Sequence, residues 1–255
     1  ICSTQSAREC NFPRNAGIIL HSRTRRKGSV HMPDYFTHYL AAAEIFRRLD
    51  KNSKDTLSRD GDLYLLGAQG PDVFFFYGLS VKHNPGRMLH RADAAQLFSA
   101  LMRGNAAYCA GWATHYALDC TVHPAVYAYE RAHRGMLLHQ KFEADLGLYV
   151  SRQLKKERMI MPKKRMTACA PAVCDSVRNV LPFITAAGTS ACLKRHYLYT
   201  RRIYAGLSEK YKLKADYAPA YEAFERGVEL GIATVRCVLQ NNIDPEIFSR
   251  SFLEK

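Results

Sequence analysis

His115, Asp119 and His123 recur at four-residue intervals within YCAGWATHYALDCTVHPAVYAYERAHRGMLLHQKFE, residues 108–143. On a helix, side chains at that spacing leave from one side. His139 and Glu143 repeat the interval in what reads as the following helix. Imidazole and carboxylate are zinc ligands, and a single helix cannot surround an ion, so two neighbouring rows of them suit a multinuclear zinc site. Any one of these histidines, taken alone, reads more simply as a surface polar residue. Five such side chains at these spacings, interleaved with Trp112, Tyr116, Leu118 and Val122, favour a metal centre.

The segments that must position these residues read as helices. PDYFTHYLAAAEIFRRLD opens with Pro33 at a first helical position and closes on Arg47 and Arg48, which suit the negative end of the helix dipole. Phe36, Tyr39, Leu40, Ala43 and Phe46 form its apolar stripe, and His38 lies near the stripe, so it faces inward. Residues 50–62 read as a polar loop. Gly67, Gly70 and Pro71 then break a short helix and place Asp72 at the mouth of the aromatic run Phe74–Tyr77. Asp72 could be aimed at a site by that turn, or could simply cap the next helix. GRMLHRADAAQLFSALM reads as one helix carrying His90. The first ligand helix runs from Ala106 to Val122 and is expected to stop at Pro124. The second spans about Met136 to Lys156, with His133 in a polar turn between them. After a basic break at Pro162, helical patterns return over 172–180, 181–207 and 217–239. No convincing strand alternation occurs, so the fold class is all-α, with one domain over residues 32–255.

A chain of 255 residues with 47% hydrophobic content can bury a large core. No apolar run reaches the roughly 18 residues of a membrane span. The formal charge of +14 suits anionic partners of several kinds: phosphate-bearing substrates, nucleic acid or an anionic membrane surface. Eight cysteines without a CxxC pair argue against a zinc ribbon or a small disulfide scaffold, and read as mostly buried thiols of a reducing compartment. Cys120 stands about 100° around the helix from Asp119 and reads as packing. Residues 1–31 lack periodicity and do not resemble a secretory signal, so they read as a leader or disordered tail before a start at Met32, with a cytoplasmic location preferred and secretion left open.

Taken together, MPDYFTHYLAAAEIF, LGAQGPDVFFF, the Leu-His pair ending at His90, GWATHYALDCTVHP and HQKFE resemble the zinc-dependent phospholipase C family. That family has a bundle-like all-helical fold shared with single-strand-specific nucleases of the S1/P1 type. The resemblance covers residues 32–145 well and is weak beyond. It implies two or three Zn²⁺ ions: Asp72, His90, His115 and Asp119 around one, His123, His139 and Glu143 around a second, and His38 with the bridging Asp119 at a third. In secreted relatives a processed N-terminal tryptophan completes the third site. Here Trp112 is the sole tryptophan, and the amine of Pro33 is the expected substitute.

Clustered zinc ions acidify water and clamp phosphoryl oxygens, so the implied chemistry is phosphodiester hydrolysis. Asp72 is the candidate to orient or deprotonate the attacking water, from a position near solvent. The expected activity is phospholipase C-type cleavage of a phospholipid to diacylglycerol and a phosphorylated headgroup, with peripheral membrane-surface contact as a partner mode. The alternatives are an S1/P1-like nuclease and a non-catalytic, zinc-stabilised helical protein.

Overall fold

The computed structural model describes residues 35–78, 83–135, 137–157, 159–205, 211–213, 215–250 and 252. The start at Met32 and the Pro33 amine lie outside them. Eleven α-helices and one 3-10 helix are present among the described residues, with no strand, which meets the all-α expectation.

Helix α6 (Ala106–Ala132) is the centre of the molecule. From Ala107 to Cys120 every residue on it is buried, so the helix is enclosed on all sides rather than amphipathic. It packs against α1 (Tyr35–Arg48), α3 (Gly61–Gly67), α7 (Leu138–Leu154) and α11 (Ala218–Leu239). The α3 crossing is close because two glycines meet there. A Cβ on Gly111 would strike the Tyr64 carbonyl, and one on Gly67 the Tyr108 carbonyl. At the far end of α1, the buried Glu44 carboxylate accepts hydrogen bonds from Arg47, Arg48 and Lys156, tying α1 to the segment after α7.

Four boundaries differ from the sequence reading. Residues 51–59 form helix α2 (Lys51–Arg59) rather than a loop, because Asp50 caps it by accepting from the Ser53 amide at 2.9 Å. The segment with His90 is two helices, α4 (Pro85–Leu89) and α5 (Ala94–Leu101). Asn84 caps the first and Asp93 the second, and His90 stands at the junction. Helix α6 continues through Pro124 for two further turns instead of stopping there. The stretch 181–207 is helical only from α10 (Ala186–Tyr204), which Thr185 caps. Helices α8 (Lys163–Ala168) and α9 (Ala170–Arg178) complete the set. Cys109, Cys120, Cys174 and Cys192 are buried thiols, in keeping with the packing role expected of Cys120.

Candidate metal centre

All eight expected ligand residues come together beside α6. The central helix supplies His115, Asp119 and His123; α1 supplies His38, and α7 supplies His139 and Glu143. Asp72 lies in the first turn of the 3-10 helix Gly70–Phe76, and His90 at the C-terminal end of α4. The side chain of Asp72 makes no cap; it points to His90, with Oδ1 3.3 Å from Nε2. It is only 6% exposed, so the expectation of a carboxylate near solvent is corrected: the turn drives Asp72 inward. Gly70 makes that turn. Its φ of +46° suits glycine, and a Cβ there would run into the His115 ring.

Asp119 lies between the other groups. Oδ1 is 3.5 Å from His38 Nε2 and 3.8 Å from His123 Nε2, whereas Oδ2 is 3.1 Å from His115 Nε2 and 3.7 Å from His90 Nε2. Glu143 Oε1 is 3.0 Å from His139 Nε2 and 3.7 Å from His123 Nε2. Ligand atoms converge in three groups: His38, His115 and Asp119; Asp72, His90 and His115; His123, His139 and Glu143. His115 is common to two of them.

These separations fit a metal. A tetrahedral ion with bonds of about 2.0 Å holds its ligand atoms roughly 3.3 Å apart. His115 Nε2 and Asp119 Oδ2 are buried without hydrogen-bond geometry to any partner, which is a costly arrangement unless a cation sits between them.

The other ring nitrogens are anchored so that Nε2 faces inward. His115 Nδ1 lies 3.1 Å from the Ala68 carbonyl, His90 Nδ1 2.7 Å from that of Gly86, and His123 Nδ1 2.8 Å from that of Phe252. An Nδ1–H donating to a carbonyl leaves the Nε2 lone pair to coordinate. His139 Nδ1 instead faces Glu130 Oε2 at 3.4 Å. None of these four supports was anticipated. Glu130 carried a signal, seven residues after His123 and so on the same side of α6. The three carbonyls carried none, since any residue has one.

Charge keeps the carboxylates ionised. Burial would raise the pKa of Asp119, but His115, His123 and His38 outweigh it and hold the carboxyl well below its usual range. Glu143 is held down in the same way by His139 and His123. Burial would lower the imidazoles. In His115, Asp119 and Asp72 reverse that and hold its pKa at about 9, while in His38 burial and the neighbouring His115 prevail and lower it to about 4. The carboxylates thus stay ionised toward a cation, and a bound metal would displace the proton that His115 otherwise keeps.

A helical bundle whose central helix sets a buried carboxylate between histidine groups defines a class: an all-α protein with clustered histidine and carboxylate side chains that could hold metal. The chain belongs to the zinc dependent phospholipase C family, whose model matches residues 37–183 and so includes all eight residues of the centre. No curated protein and no solved structure matches the chain. The family is zinc-dependent, and the groups that could hold metal are in place. Among the described residues no helix is long and apolar enough to cross a membrane.

Proposed function

We propose that the chain is a zinc-dependent phosphodiester hydrolase of phospholipase C type, which releases diacylglycerol and a phosphorylated headgroup. The observation that carries this reading is Asp119, whose Oδ1 faces His38 and His123 and whose Oδ2 faces His115 and His90, so that one carboxylate could serve two ions. Zinc held there would supply a water acidic enough to attack at neutral pH and a positive clamp on the phosphoryl oxygens.

The protein's own residues do the rest. Asp72, His90, His115 and Asp119 would hold one ion, His123, His139 and Glu143 a second, and His38 with Asp119 a third. Asp72 is ionised, its pKa lowered by His90, His115 and His38 against the effect of burial, and it accepts a proton from the attacking water. Water adds to phosphorus, the bond from phosphorus to the glycerol oxygen breaks, and that oxygen takes up a proton from solvent as diacylglycerol leaves, while Asp72 returns its proton to solvent. The packed rings of Phe75, stacked on His90 at 5.2 Å, and Phe252 limit bulk water on that side.

A nuclease reading draws on one observation, the +14 charge. Release of phosphocholine from phosphatidylcholine, measured beside cleavage of single-stranded DNA, separates the two. Lipid hydrolysis lost in Asp72→Asn supports the proposal; DNA cleavage without lipid hydrolysis overturns it.

A further inference from the structure

An open groove of about 800 Å³ lies where the C-terminal ends of α7 and α10 approach α1. It shares no lining residue with the space beside the metal centre. Phe36 forms part of its floor, and two residues along α1 places a side chain about 200° around the helix, so the groove and His38 lie on opposite sides of α1.

The floor is apolar. Phe36 meets Tyr204 edge to face at 4.2 Å, and Ile160 extends the same surface. The rim is cationic, with Arg152, Lys155, Lys156 and Arg201 against a single acid, Glu157. Lys156 donates to Glu44 and is half-buried, whereas Arg152, which donates to the Tyr211 carbonyl, Lys155, and Arg201, which lies 5.8 Å from the Tyr197 ring centroid, are the exposed cations of the rim. Apolar side chains stand out beside them. Leu198, one turn before Arg201 on α10, is 56% exposed, and Met159 and Ile203, each next in sequence to a groove segment, are also exposed.

An apolar floor below a cationic rim matches one ligand chemistry, an acyl chain ending in a phosphate. Protruding Leu, Met and Ile side chains gain by entering a lipid interface and gain nothing on a nucleic acid backbone. We propose that this groove docks the protein on the anionic phospholipid of a membrane surface, as a binding site separate from the metal centre. The proposal stands on the groove's own chemistry and holds whether or not the metal centre hydrolyses lipid.

The test is co-sedimentation of the full zinc-loaded chain with vesicles of phosphatidylcholine alone, or of phosphatidylcholine mixed with phosphatidylserine. Binding is expected to the mixed vesicles and to weaken with added salt. Lys155→Asn with Arg201→Gln should cut that binding about twenty-five-fold, roughly fivefold for each cation removed near the surface. Lys51→Gln with Arg59→Gln, an equal charge loss on exposed α2, should leave it nearly unchanged. Leu198→Ser should weaken it several-fold without loss of charge, and decides the matter if the double variant fails to fold. Equal binding to both vesicle types, equal loss in the two double variants, or retention of single-stranded DNA in place of vesicles would each overturn the proposal.

Discussion

The hydrogen bonds behind the histidines are as telling as the histidines. Glu130 faces His139 Nδ1 and helps hold that ring's pKa up at about 10, together with Glu143 and against the effect of burial. Glu130→Gln keeps the shape and removes the charge, so zinc affinity should fall about 10- to 100-fold, read by competition with a chromophoric chelator. His196 shows the opposite case. It is buried between Tyr35 and Phe76 with neither ring nitrogen hydrogen-bonded, and burial lowers its pKa to about 4. The unfolded chain therefore takes up this proton first as pH falls. Stability from this group is whole above about 6.5, declines between there and 4, and is constant below, a loss of roughly 3 kcal/mol. His196→Phe should flatten that limb of the stability curve, measured by urea unfolding from pH 7 to 4.

Among the elements, the junction of α3 and α6 sets where the metal-facing side of α6 points. Gly111→Ala must force the two backbones apart and should cost about 3 kcal/mol or more, seen as a lowered thermal midpoint at saturating zinc. Five candidate ligands were legible here because i, i+4 spacing survives any uncertainty about helix ends. Asp72 and His90 depended on the resemblance to a family, since a Gly-Pro turn aims a carboxylate only once its packing is known. The helix ends were less legible. Pro124 is tolerated because its ring follows directly on the buried ligand face, which tertiary packing against α7 and α11 holds helical, and Asp50 turned a polar stretch into a capped helix.

Across the whole molecule the centre joins segments distant in sequence. Phe252, buried near the end of the chain, lends its carbonyl to His123, and Tyr116 accepts from the Arg250 amide at 3.1 Å. No local pattern could have placed that segment over the cluster, because its contacts are with residues about 130 positions away. With candidate ligands on α1, α6, α7 and the turn between α3 and α4, a bound metal would brace the fold. Chelation should thus remove on the order of 4 kcal/mol at zinc concentrations about a thousandfold above Kd, lowering Tm by roughly 10 °C in a scan with and without chelator. An unchanged Tm would mean that the bundle stands without its ions.

The proposed bridging role of Asp119 is tested most directly by elemental analysis of zinc in the purified protein and in Asp119→Asn, both checked for helical content. Two or three ions per chain in the parent, falling by more than one in the variant, is the expected result. A folded parent without zinc, or a variant that loses none, would contradict a centre built around this carboxylate.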